Sequence, residues 1–75
     1  MKDFDFYIKL GSIIRKQRKK QGITLIEISR VADTSSQQFS KYETGINRIP
    51  VDRLEKVSEI LDLSFDTLIR NAREI

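Results

Sequence analysis

The sequence contains no cysteine and no histidine. Disulfide staples are therefore excluded, as are zinc sites built from Cys and His and catalytic triads that turn on an imidazole base. Proline occurs once, at Pro50, and glycine three times, at the widely separated Gly11, Gly22 and Gly45. A Gly/Pro-rich linker or low-complexity tract is thus not expected, and no internal repeat is expected either. The longest apolar run is Phe6-Tyr7-Ile8, too short for a membrane span or the core of a signal peptide. What is present is balanced. With 39% apolar and 33% charged residues among 75, the composition fits a single small globular domain over residues 1–75 rather than a disordered chain.

The net charge is only +3, with an isoelectric point near 9.5, but its placement is uneven. Lys9, Arg15, Lys16, Arg18, Lys19 and Lys20 follow one another with no acid among them. From Asp52 to Asp66 the balance reverses, with Asp52, Glu55, Glu59, Asp62 and Asp66 against Arg53 and Lys56. A basic half and an acidic half suit an oriented encounter with a polyanion. A solvated helix face would account for the lysine cluster equally well.

Apolar residues recur at helical rather than alternating spacing, which predicts an all-α fold. A first helix is expected from about Phe6 to Gln21, with Leu10, Ile13, Ile14 and Gln17 inward and Gly22 as its left-handed stop. Thr24 and Glu27 have the spacing of a capping box, and Ile23 and Ile28 that of a hydrophobic staple. They open a second helix, with Ile28, Ser29 and Ala32 inward, that stops near Asp33, a residue tolerant of left-handed geometry. Ser35 and Gln38 repeat the capping pattern and open a third helix, which runs to about Thr44 and is stopped by Gly45. Pro50 suits the first turn of a fourth helix carrying Val51, Leu54, Val57 and Leu61. Ser64 caps a short fifth helix with Phe65, Leu68 and Ile69, and Asp66 lies near its positive end.

The second and third helices, joined by a tight turn, predict a helix-turn-helix. At about 100° per residue, Phe39, Tyr42 and Glu43 share one side of the third helix. Ser36, Gln37, Ser40, Lys41 and Thr44 share the other. That outer side is short, polar and nearly uncharged, unlike a solvated face rich in Glu, Lys and Arg. Its donors and acceptors suit base edges.

An ordered set of residues then resembles the Cro/phage-repressor helix-turn-helix family, also called the xenobiotic-response-element family. The set comprises Leu10-Gly11, Ile14-Arg15, Arg18, Gly22-Ile23-Thr24, Glu27-Ile28, Ser35, Phe39-Ser40-Lys41-Tyr42-Glu43, Gly45, Leu54, Val57, Leu61 and Leu63-Ser64. It covers residues 10–69. The stretch from Gln37 to Ile49 is similar to a branch of stand-alone regulators common in alphaproteobacteria. The resemblance implies a compact five-helix, lambda-repressor-like DNA-binding domain. It also implies a transcriptional regulator, a repressor in expectation, that acts as a homodimer on a near-palindromic operator in the cytoplasm, associated with the nucleoid.

By position, the resemblance assigns Ser36, Gln37, Ser40 and Lys41 to base edges. It assigns Thr24, Leu25, Gln38, Asn47, Arg48 and Arg53 to backbone phosphates, and Arg18 and Glu43 to an ion pair joining the first and third helices. An inward carboxylate at Glu43 would need such a partner. Leu25 departs from the family's usual Gln, leaving backbone amides for phosphate, or an apolar contact with sugar or a neighbouring subunit. Asp33 replaces a common turn Gly and adds negative charge near the DNA side. Ser29 replaces a common Ala, and its hydroxyl must bond back to the chain. The near-helical stripe Leu68, Ile69, Ala72 and Ile75 is the expected dimer surface, with packing within the protomer as the alternative and Leu68 expected to pack there. The aromatic start, Phe4, Phe6 and Tyr7, is either a second such surface or a lid on the core.

Other functions fit less well. A protein-binding adaptor, such as an antitoxin, needs a segment outside the DNA-binding core, and only residues 1–9 and 71–75 are free for one. RNA binding lacks exposed aromatic platforms. No pocket-forming bulk, imidazole or metal cluster accompanies the Ser, Lys and Asp residues, so an enzyme is not expected. Nor is a cofactor, metal or small-molecule ligand.

Overall fold

Five helices succeed one another in the computed structural model, which describes residues 3–74, with side chains from residue 5 onward. They are α1 (Asp3–Lys20), α2 (Leu25–Val31), α3 (Ser36–Thr44), α4 (Val51–Ile60) and α5 (Phe65–Arg73). Among the described residues there is no strand, and no helix is long and apolar enough to cross a membrane. The helices wrap one core, in which Leu10, Ile14, Ile28, Phe39, Val57, Leu61 and Leu68 are fully buried. Each such side chain contributes about 1.5–3 kcal/mol relative to exposure.

Local chemistry sets most of the boundaries. Thr24 Oγ1 accepts from the Glu27 amide at 3.1 Å, and the Thr24 amide donates to Glu27 Oε1 at 3.0 Å, so the capping box at α2 is complete. Ser35 Oγ accepts from the Gln38 amide and Ser64 Oγ from the Thr67 amide. The chain turns at Gly22 (φ 71°) and Gly45 (φ 81°). Three expectations shift. Helix α1 begins at Asp3, three residues earlier than Phe6. Pro50 is the N-cap of α4 rather than its first helical residue. Val51, expected inward, is 63% exposed.

The long α1 packs on both α3 and α5. Its approach to α3 depends on Gly11. A Cβ there would lie 2.3 Å from the carbonyl oxygen of Tyr42 and 2.5 Å from that of Glu43. Glycine within a helix costs about 0.5–1 kcal/mol relative to Ala. Here that cost allows backbone contact between α1 and the last turn of α3. At its other end α1 is tied to α4, where Gln21 Nε2 donates to the Leu61 carbonyl at 2.6 Å and Gln17 Nε2 at 3.4 Å.

One feature absent from the expectations is a structural near-repeat. The α2–α3 and α4–α5 turns share the same construction. Ser29 and Ser58 donate back to Ile26 and Glu55 carbonyls at 2.8 and 2.7 Å. Asp33 and Asp62 follow, with φ of 57° and 56°. The Thr34 and Leu63 amides donate to the Ser29 and Ser58 carbonyls, and Ser35 and Ser64 cap the next helix. Phe39 and Leu68 then fill matching core positions. The repeat is carried by backbone geometry and five or six small residues, too few to stand out as sequence self-similarity.

The expected dimer stripe is corrected here. Leu68 and Ala72 are fully buried within the protomer, where α5 packs on α1, and Ile69 is half-buried against the same core. Their apolar surface is already spent on folding. Ile75 and the side chain of Phe4 lie outside the described residues. Phe6 and Tyr7 pack against the core as a lid, ring edge to ring face, with centroids 5.1 Å apart.

Candidate nucleic-acid interface

Helix α3 is held by its inner side. Phe39 is fully buried, Tyr42 and Glu43 nearly so, and the two rings meet edge to face with centroids 5.7 Å apart. Such a pair adds about 0.5–1.5 kcal/mol beyond its buried area. The opposite side faces out: Gln37, Ser40, Lys41 and Thr44 are exposed and Ser36 is half-buried. Thr44 Oγ1 donates to the Lys41 carbonyl at 3.2 Å, which leaves Ser36, Gln37, Ser40 and Lys41 as the polar side chains of this face without such a bond among the described residues.

Arg18 and Glu43 fasten that helix to α1. Arg18 Nε donates to Glu43 Oε2 at 2.6 Å and Nη2 donates to Oε1 at 3.1 Å, while Nη1 donates to the Ile23 carbonyl at 3.0 Å. The side chains are only 10% and 5% exposed. This forked geometry satisfies both carboxylate oxygens and offsets the desolvation of two charges. With three donors engaged, Arg18 is a structural cation and not available to a polyanion.

The loop from Gly45 to Pro50 folds back on α3. The Asn47 amide donates to the Lys41 carbonyl at 3.3 Å, and Asn47 Nδ2 donates to Gln38 Oε1 at 3.3 Å. Gln38 therefore spends its carbonyl on Asn47, not on the second half of a capping box, and keeps its NH2 donors. Arg53 is half-buried and gives one donor to the Tyr42 hydroxyl at 3.0 Å. Arg48 is exposed, its guanidinium carbon 5.4 Å from the centroid of the Tyr7 ring.

At the start of α2 the capping box engages the Glu27 amide, leaving the first-turn amides of Leu25 and Ile26 without an intrahelical acceptor. The Leu25 side chain packs against the core, which explains an apolar residue there; its backbone N–H is what remains for an anion. The Glu27 carboxyl is held below its ordinary pKa by the Thr24 backbone N–H and, secondarily, by the Thr24 hydroxyl. Arg15, Lys16, Lys19 and Lys20 are exposed along α1, the last two in its final turn, where they favour the negative end of the helix dipole. Sequence reasoning missed the tie made by Gln21, the close approach at Gly11 and the contact of Tyr7 with Arg48, because each joins residues distant in the chain. The one available signal was Leu10-Gly11, a glycine inside a strongly helical pattern.

Comparison with known proteins agrees with this architecture. The helix-turn-helix family model matches residues 14–68. An uncharacterized HTH-type transcriptional regulator of Rickettsia conorii is 35% identical over 74 residues, covering 93% of this chain and 59% of the relative. The chain spans about half to three-fifths of the length of the curated relatives of this kind. The crystal structure of the clp gene regulator ClgR from Corynebacterium glutamicum superposes with a TM-score of 0.83 at 25% identity, covering 89% of this chain and 71% of that one. The structure of SinR, the master regulator for biofilm formation, in complex with DNA superposes with a TM-score of 0.70 at 34% identity. That match covers 80% of this chain and 97% of that one. These matched proteins are regulators, not enzymes.

Proposed function

The chain belongs to the helix-turn-helix family, and on that premise we propose that it is a transcriptional regulator that binds duplex DNA sequence-specifically through α3. The observation that carries this reading is the outer side of α3, exposed and nearly uncharged while its inner side is locked into the core. A helix so presented fits the major groove. Gln37 can pair bidentately with adenine N6 and N7, Lys41 can donate to guanine O6 and N7, and Ser36 and Ser40 can bond to either.

Phosphates on both sides of the groove would be held by the donors around this face. Asn47, Arg48 and Arg53 lie beyond its C-terminal end, Gln38 along it, and Thr24 and Leu25, through backbone amides, at the start of α2. One recognition helix reads only a few base pairs, so a homodimer on a near-palindrome, with half-sites ~34 Å apart or a multiple of that, supplies useful specificity. Repression is the expected sense of regulation, and a cytoplasmic, nucleoid-associated location follows from the ligand. Support for DNA as the ligand comes from the fold neighbour SinR, whose structure was solved with DNA.

The test is selection of bound duplexes from a random pool at two salt concentrations. Enrichment of one symmetric motif, with affinity falling steeply as salt rises, is the expected result. Equal retention of every duplex at low ionic strength would overturn the proposal. A reporter placed downstream of the selected motif then reads the sense of regulation, with lowered output expected.

A further inference from the structure

Three arginines surround the recognition helix, and they differ in how they are held. Arg18 has three donors engaged by Glu43 and Ile23. Arg53 gives one to the Tyr42 hydroxyl. Arg48 makes a cation–π contact, its guanidinium carbon 5.4 Å from the centroid of the Tyr7 ring. A cation–π contact uses the charge of a guanidinium and does not require a hydrogen-bond acceptor for any of its N–H groups. Arg48 is thus oriented while its donor edge stays free.

The ring is itself fixed. Tyr7 is half-buried, packed on the core and braced by Phe6. Its neighbour Ile8 touches the first residue of the Arg48 loop: a Cβ on Gly45 would lie 2.7 Å from Ile8 Cγ1 and 2.8 Å from Ile8 Cα. Gly45 therefore both adopts φ 81° and admits α1 to backbone contact. The first turns of α1 and the Arg48 loop form one rigid corner.

We propose that Tyr7 is a positioning residue for DNA-backbone binding, its ring holding the Arg48 guanidinium so that the N–H edge is presented to a phosphate. The proposal rests on the reading of Arg48 as a phosphate anchor. Preorganisation of this kind spares the ordering of a long, exposed side chain when DNA arrives. The phenol hydroxyl has no part in it; the face of the ring does.

The experiment measures affinity of the full chain for a selected duplex and for an unrelated one, alongside thermal melting, in a double-mutant cycle. Tyr7→Leu should weaken binding to both duplexes by about two- to fivefold, the scale of an exposed cation–π contact, with base preference unchanged. Tyr7→Phe should bind as the parent does. In an Arg48→Ala background, Tyr7→Leu should have no further effect. Should Tyr7→Leu melt too low to assay, trifluorinated phenylalanine at position 7 keeps the ring's shape while depleting the negative charge of its face, and should give the same loss. Equal weakening with and without Arg48 would overturn the proposal, reducing Tyr7 to a packing residue. So would Arg48→Ala losing affinity while Tyr7→Leu loses none, a result that leaves the anchor reading intact. Full binding by Arg48→Ala would overturn the anchor reading and the positioning role together.

Discussion

On the outer side of α3 stand Ser36, Gln37, Ser40 and Lys41; at the matching places of α5 stand Phe65, Asp66, Ile69 and Arg70. The two helices are entered through the same turn, with a back-bonded serine, a left-handed aspartate and a serine cap. Yet Phe65 and Ile69 are half-buried against the core, and Asp66 and Arg70 pair with each other across one turn. In α3 the serines leave the surface open, and Gln37 and Lys41 have no such mutual contact. The turn is a general device for setting two helices at an angle. What makes one copy a candidate reading head and the other a structural element is which side chains are already spent within the protomer.

The largest expected effect contrasts Glu43 with its counterpart in α5, the buried Ala72. Glu43→Ala gives α3 the side chain that α5 tolerates, but strands the Arg18 guanidinium without its carboxylate. A loss of about 3–5 kcal/mol is expected, and each kcal/mol lowers Tm by about 4–8 °C in a domain of this size. Arg70→Ala, breaking the exposed pair of α5, should cost under about 1 kcal/mol. Thermal melting followed by circular dichroism checks both, and similar losses from the two would break the contrast.

Next comes an exchange of surface chemistry. Gln37→Asp installs on α3 the acid–base spacing of α5, facing Lys41 one turn on. It removes a bidentate base contact, at about 1–3 kcal/mol, and adds repulsion toward phosphate. Specific DNA binding should fall at least tenfold while melting is unchanged. Asp66→Gln should leave DNA binding unchanged and cost under about 1 kcal/mol of stability, as the loss of its exposed pair with Arg70 does. If Asp66→Gln changed DNA binding as strongly as Gln37→Asp, the division between reading and structural helix would be wrong.

The turn residues offer a finer test. Asp33 and Asp62 have the same left-handed φ, so glycine at either should change stability by the same small amount, under about 1 kcal/mol. Only Asp33→Gly should also raise DNA affinity at low salt, by removing a negative charge beside the proposed interface. Titration at two ionic strengths separates the two turns.

The smallest effect concerns the helix starts. Helix α2 is closed by Glu27, whose carboxyl titrates below its ordinary value because Thr24 donates to the ionised form; α4 begins at Pro50, with no side-chain cap. For a carboxyl lowered on folding, the contribution is fully present above the unfolded pKa and is lost as pH falls through the folded one. The stability difference between the parent and Glu27→Gln should therefore be constant near neutrality and vanish in acid. A difference that grew on acidification would reverse the assignment.

Features written within a few residues were legible before the fold was known. The Thr24–Glu27 box, the Ser35 and Ser64 caps, the stop at Gly45 and the inward trio Phe39, Tyr42 and Glu43 all follow from helical period and capping chemistry. Val51 was misjudged because helical spacing alone does not show whether another element covers the start of α4; it is 63% exposed. Leu68 packs within the protomer as expected, whereas the burial of Ala72 was not legible, because a stripe at helical spacing looks the same whether α1 or a second protomer covers it.

By itself, then, the order of residues determined that five helices form, where α2, α3 and α5 begin and which side of α3 carries mostly polar, uncharged groups. Those outcomes depend on backbone hydrogen bonding and side-chain spacing over one or two turns. Tertiary packing alone decided that α5 is consumed within the protomer, that Gly11 admits α1 to the carbonyls of α3, and that Tyr7 comes to lie under Arg48. Such contacts join residues far apart in the chain. Their energies arise only when separate helices exclude water from the same small core.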